Sequence, residues 1–185
     1  MKPALAFVLA VAPQFLLVAG LALRAEYARS TGVEVRLLVR PYDPMDPFAG
    51  RYLGTPLAIE RLDLATVPHD DGLFDAGVVW VTLAPGPRHW TPVAMRLQQP
   101  TPPAGSVALR AEVRSRVSDQ ATNVLWLDYG LGRFYIPQDG KDPTTWRRSD
   151  GQRPELLLVA RVAASGRAAV VDLLIDGEPY ATWNR

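Results

Sequence analysis

Two hydrophobic patterns divide this chain of 185 residues. Over residues 4–23 no charged side chain interrupts the run, and only Pro13, Gln14 and Gly20 break its apolar character. From residue 33 the pattern changes to alternation. Val33, Val35, Leu37 and Val39 fall on one face of an extended segment and Glu34, Arg36 and Arg40 on the other, the period of a half-buried strand. Leu57, Ile59 and Leu62, interleaved with Ala58 and Glu60, predict a second strand. Residues 77–83 and 90–97 flank Pro85-Gly86-Pro87 as the arms of a hairpin. Pro92 brings no N–H to a ladder, so its arm belongs at a sheet edge or a bulge.

Residues 106–114 alternate again, with Val107, Leu109, Ala111 and Val113 inward and Arg110, Glu112 and Arg114 outward. Residues 124–129 and 133–136 bracket Gly130-Leu131-Gly132, which predicts a tight reversal. Asp142-Pro143 is placed to cap a short helical turn reaching Trp146. A further hairpin joins residues 156–162 and 168–175 around Ser165-Gly166, and Asp176-Gly177 turns into a last strand over residues 180–183. About nine short strands with turn residues between them, and no long helical period after residue 24, predict an all-β fold, an antiparallel sandwich or barrel-like domain behind one N-terminal helix.

As a helix, the twenty uncharged residues 4–23 span about 30 Å, the thickness of a bilayer core. Gly20-Leu21-Ala22 also offers the small-x-small pattern of a signal-peptidase cut, but the run is longer than a usual signal core and has no polar region ahead of that cut. Residues 1–25 are therefore expected to be an uncleaved transmembrane anchor, 26–32 a linker and 33–185 one β-rich domain. Arg24, Arg29, Arg36 and Arg40 follow the helix and only Lys2 precedes it, which by charge count holds the domain inside. Long C-terminal domains translocate largely regardless of such charges, so an extracytoplasmic domain is expected.

Composition removes several classes of function. Without cysteine there is neither a disulfide framework nor a thiolate metal site. Setting Lys2 aside leaves 19 basic against 19 acidic side chains, a balance that argues against a nucleic-acid partner. No Ser-His-Asp order, phosphate-binding glycine loop or dinucleotide fingerprint is present, and no cofactor is expected.

The densest cluster of unusual residues is 40–57, where Asp43-Pro44 and Asp46-Pro47 precede Phe48 and Gly50-Arg51-Tyr52. Asp43 and Asp46 have the oxygen ligands of a hard-cation site, but each also stands before a proline, where aspartate ordinarily shapes a turn. The turn reading is preferred. His69 and His89, the only histidines, lie in turn sequences and share no ligand spacing. Trp80, Trp90, Trp126, Phe134, Tyr135 and Trp183 sit on predicted strands, where aromatic residues usually pack in the core and less often line a groove.

These residues resemble the bacterial family named for its GDYXXLXY motif, small membrane-associated proteins. The resemblance runs through Arg40-Pro41, the two Asp-Pro pairs, Phe48 and Gly50 before Tyr52. It continues through residues 129–137 (YGLGRFYIP), Gly166-Arg167-Ala168 and Leu174-Ile175-Asp176-Gly177. Within the namesake motif Gly50 and Tyr52 match, whereas Arg51 stands for its Asp, Thr55 for its Leu and Leu57 for its second Tyr. Gln138 likewise replaces a Glu. The resemblance implies a fold, a membrane association and a multi-span membrane protein as partner more than it implies a reaction.

A binding or assembly module is expected, with Asp43, Asp46, Phe48, Gly50, Arg51 and Tyr52 forming the contact loop for an envelope or membrane partner or a small ligand. One alternative is a membrane-anchored hydrolase with a signal-peptidase-like β fold, in which a lysine activates a serine just past the anchor. Ser30 and Lys141 are the only residues placed for that, unless carboxylates around Asp43 and Asp46 act instead. Lys141, between Gly140 and Asp142 in a polar stretch, is expected to be solvated rather than the desolvated base such chemistry needs. A purely structural envelope protein is the remaining alternative.

Overall fold

The computed structural model describes residues 3–40, 52–118 and 123–185; along the leading helix, side chains are described for 11–20, 23, 26 and 29–31. The chain opens with α1 (Pro3–Thr31) and continues as strands β1 (Val33–Leu38), β2 (Tyr52–Gly54) and β3 (Arg61–Asp63). Next come β4 (Val78–Pro85), β5 (Trp90–Arg96), β6 (Val107–Ser118), β7 (Asn123–Asp128) and β8 (Arg133–Tyr135). It closes with β9 (Leu156–Val162), β10 (Ala168–Ile175), β11 (Glu178–Pro179) and a helical turn, α2 (Tyr180–Trp183). The named strands pair antiparallel throughout, as a four-stranded sheet β1-β9-β10-β11, a two-stranded ribbon β2-β8 and a five-stranded sheet β3-β7-β6-β4-β5.

One apolar core joins the sheets, which curl around it as a half-barrel. Val35 and Leu37 of β1, Val79, Val81 and Leu83 of β4, Leu109 of β6, Leu125 of β7, Leu158 of β9 and Leu173 of β10 are each fully or almost fully buried. The alternation of β6 holds at Val107, Leu109 and Ala111, which are buried, and at Glu112 and Arg114, which are exposed, while Ala108 on the other face is also buried and Arg110 and Val113 are half-buried. Val33 departs from its expected face because it opens its strand, and it is half exposed. Pro92 lies on the edge strand β5, where the register slips opposite Thr82 and Leu83. That placement answers its missing N–H in both expected ways.

Four local expectations are corrected. Leu57, Ile59 and Leu62 do not share a strand; a 3₁₀ turn at Ala58–Glu60 precedes β3. Their spacing of two and then three positions puts Ile59 and Leu62 on opposite faces of a continuous strand, whereas the turn lets all three be buried. Strands β7 and β8 do not form a hairpin, because β3 and β6 occupy both edges of β7 and β8 pairs with β2. Asp142 opens a turn and not a helix, its Oδ1 accepting from the Thr144 N–H and hydroxyl at 2.8 and 2.7 Å.

The fourth concerns residues 180–183, which are helical. A strand would send Tyr180 and Trp183 to opposite faces, while one helical turn aligns positions three apart. Tyr180 is buried against Phe134, at 5.5 Å between ring centroids, and Trp183 stacks edge-on to Trp146 at 5.8 Å.

The leading helix runs through the stretch expected to be a linker, as far as Thr31. Its last turn is tied to β9, where Arg161 Nη1 donates to the Arg29 carbonyl at 2.7 Å. Among the described residues, no helix is long and apolar enough to cross a membrane.

Candidate functional site

Of the six residues expected to form a contact loop, Asp43, Asp46, Phe48, Gly50 and Arg51 lie outside the described residues. Tyr52 and the residue before the segment, Arg40, are both held by backbone hydrogen bonds. Val39 donates to Leu156 O at 2.9 Å and Arg40 to Pro56 O at 2.7 Å, while Tyr52 opens β2. The described residues on either side of the segment are thus held in the β-domain.

Along β2 and β8 the register pairs Tyr52 with Tyr135, Leu53 with Phe134 and Gly54 with Arg133. Alternation sends Leu53 and Phe134 to the core side and the remaining side chains to the other face. There the Tyr52 and Tyr135 rings stand 6.1 Å apart, and the Arg133 guanidinium lies 5.1 Å from the Tyr52 ring centre, a cation–π contact. Tyr135 is 72% exposed, the most solvent-facing large apolar residue among the described residues of the β-domain. Two tyrosines, their rings tilted 58° to each other, and an arginine form an amphipathic platform, with composition typical of interface hot spots.

Thr55 follows directly and is almost fully buried. Its hydroxyl donates to Leu131 O at 2.8 Å and its N–H to Gly132 O at 3.1 Å, which locks the ribbon to the 130–132 turn. Val39, Arg40, Gly54, Pro143, Thr144, Arg153, Pro154 and Leu156 surround an adjoining crevice of about 30 Å³, room for little more than a water molecule.

The two regions joined by this ribbon, residues 52–54 and 133–135, both belong to the sequence frame that resembled a known family. A family model described as GDYXXLXY protein matches residues 14–173. The chain belongs to the GDYXXLXY family. No curated protein and no solved structure matches it. In this GDYXXLXY protein the Tyr of the motif is half-buried in the platform, and Thr55, standing for the motif's Leu, is a core residue that keeps its hydroxyl satisfied. Leu57, standing for the second Tyr, is 1% exposed and bridges Val39. Gln138 is exposed in the turn closed by the Gly140 N–H to Pro137 O bond.

The groups considered for hydrolysis occupy different elements. Ser30 sits in the last turn of α1, whereas Lys141 is held beside α2, its N–H donating to Asn184 Oδ1 at 2.7 Å and its carbonyl accepting from the Tyr180 hydroxyl at 2.9 Å. His69 Nδ1 lies 2.9 Å from Val67 O, and His89 belongs to the β4–β5 turn, where its carbonyl accepts from Gly86. Among the described residues no cluster of His, Asp and Glu is arranged to hold a metal ion. Trp90 and Phe134 pack against the core as expected of strand aromatics, and Trp183 does so from its helical turn; Trp80 is half-buried outside the core cluster, and Trp126 and Tyr135 are exposed.

Titration is perturbed in one polar region away from the motif. Tyr129 is buried and donates its hydroxyl to Ile59 O at 2.9 Å; burial, with Glu60 nearby, pushes its pKa far above the ordinary value. Burial also raises Glu60. Burial would raise Asp128 too, but the Gly130 N–H and the Arg114 guanidinium outweigh it and hold the carboxylate below its usual range. Sequence periodicity placed these residues on strands and turns but carried no sign of their convergence, which joins positions more than sixty residues apart.

Proposed function

We propose that this GDYXXLXY protein is a membrane-anchored β-domain that acts as a binding or assembly module, with the β2–β8 platform and the motif segment as its contact surface. The observation that carries the reading is the exposed Tyr135, paired with Tyr52 and Arg133 beside the anchored ends of the motif segment. A solvent-facing tyrosine held by a rigid ribbon loses little entropy when a partner covers it. The partner in this reading is a multi-span membrane protein.

Anchoring is supported by the uncharged run 4–23 and by Phe15, Leu16, Leu17, Val18 and Leu23, each 64–72% exposed with no protein layer over them. Lipid accounts for such a surface more readily than water does. The domain is taken to lie on the extracytoplasmic side, because its size outweighs the arginines that follow the helix.

A photo-crosslinking residue at position 135 of the full chain, activated in intact membranes, tests the proposal. One adduct with a polytopic protein is expected, absent in Arg133→Ala and Tyr52→Ala proteins and absent when the probe replaces Arg88. Recovery of the full chain in the soluble fraction, or adducts independent of probe position, would refute it.

A further inference from the structure

Arg110, Glu112 and Arg114 of β6, Asp128, Tyr129 and Gly130 at the end of β7, and Arg167 and Ala168 at the β9–β10 turn together line a cleft of about 410 Å³. We propose that this cleft binds a phosphate group, carried by a lipid headgroup or a soluble ester, with Arg110 and Arg167 as its principal donors. The proposal is independent of the platform and of membrane anchoring.

Charge bookkeeping gives three guanidiniums against two carboxylates, and the carboxylates are unequally engaged. Asp128 is satisfied: Oδ2 accepts from Arg114 Nε at 2.8 Å and also from Arg114 Nη2, and Oδ1 accepts from the Gly130 N–H at 2.7 Å. Glu112 approaches Arg110 only at 3.6 Å and is itself 60% exposed, a contact of little strength in water. Arg167 makes no ion pair among the described residues. Two guanidiniums therefore face the cleft with most of their donors unspent. Arg presents planar paired N–H groups that match phosphate oxygens, and donors from two separate elements suit a ligand with three or more oxygens better than a two-oxygen carboxylate.

The walls are fixed before any ligand arrives. The Arg110 N–H donates to Gly166 O at 2.8 Å, which pins the β9–β10 turn to β6. Gly166 has φ +72° and packs so close to the Trp80 ring that a Cβ there would stand 2.1 Å from Cζ3, which fixes the residue that precedes Arg167 against β4. Arg114 occupies the register shift between Val113 and Ser115, which turns its side chain back onto Asp128. Such preorganisation lowers the ordering cost of binding. The cleft volume lies in the range of small-molecule sites and leaves room for what the phosphate is attached to.

Isothermal titration of the detergent-solubilised full chain tests this with inorganic phosphate, with monomeric dihexanoyl phosphatidylglycerol and with acetate. Saturable binding of either phosphate probe is expected, weakened about tenfold or more by Arg110→Ala and by Arg167→Ala and unchanged by Arg88→Ala. Arg167 is exposed and without an ion pair among the described residues, so its removal leaves the fold intact and keeps the test decisive even where Arg110→Ala unfolds. Binding of the lipid alone supports a headgroup, binding of inorganic phosphate alone a soluble ester, and binding of both the shared chemistry. Failure of both probes to saturate, equal affinity in Arg167→Ala, or tighter binding of acetate than of phosphate would overturn it.

Discussion

The Thr55 hydroxyl donates to the carbonyl of Leu131 at 2.8 Å across 76 positions of sequence, inside the core. Thr55 stands where the family motif has leucine, and this bond makes a polar residue acceptable there. Thr55→Val keeps the shape and leaves the Leu131 carbonyl without that partner. It should lower stability by about 1 to 2 kcal/mol in urea unfolding followed by circular dichroism, with the unfolding slope unchanged.

Gly130 and Gly166 both have positive φ, +71° and +72°, but only Gly166 has a neighbour where a Cβ would stand, with Trp80 Cζ3 at 2.1 Å. Gly130→Ala should cost about 1 to 2 kcal/mol, the backbone penalty alone. Gly166→Ala adds overpacking to that penalty, for a total of about 2 to 5 kcal/mol. Paired denaturation curves check the order, and a larger loss for Gly130→Ala would contradict the packing described.

Glu60 and Asp128 should shift the pH dependence of stability in opposite directions. Burial raises Glu60, so its proton is held more tightly in the folded chain. Its contribution is full below the unfolded pKa and lost as pH rises through the folded one. Glu60→Gln should therefore stabilise the protein at about pH 7, with a gain that fades toward about pH 4. Asp128 is held low by Gly130 and Arg114 against the effect of burial, so its contribution is present above the unfolded pKa and lost as pH falls through the folded one. Asp128→Asn should destabilise at about pH 7 and converge on wild type in acid. Thermal unfolding across the range separates the two.

Arg161 joins the β-domain to the last turn of α1 through the Arg29 carbonyl, at 2.7 Å. Arg161→Met retains the aliphatic packing and removes the donor. Hydrogen exchange at residues 28–31 should quicken by about tenfold, while protection within β9 stays the same.

Legibility in the sequence followed the range of the interaction. The strand at Val33–Leu38, the hairpin of β4 and β5 with Pro92 at its edge, and the β9–β10 hairpin around Gly166 were all readable from alternation and turn residues. The Asp176-Gly177 turn was too, since both residues adopt positive φ as a two-residue hairpin turn requires. The 3₁₀ turn at Ala58–Glu60 and the helical turn at Tyr180–Trp183 were not, because each is imposed by what the neighbouring apolar side chains must reach. Of the candidate site, Tyr52 was named from the motif, but Arg133 and Tyr135 entered only through the family frame and a choice between core and groove.

By itself the sequence determined the β-rich body, its turns, the uncharged leading run and membership of the GDYXXLXY family, since periodicity and turn chemistry are carried by residues adjacent in the chain. Tertiary structure alone decided that β8 pairs with β2 rather than β7, which places Tyr135 beside Tyr52, and that the β9–β10 turn closes on β6 to bring Arg167 into the cleft that Arg110 lines. Those pairings depend on which edges and faces remain open once the core has packed, a competition among distant segments that no local pattern records.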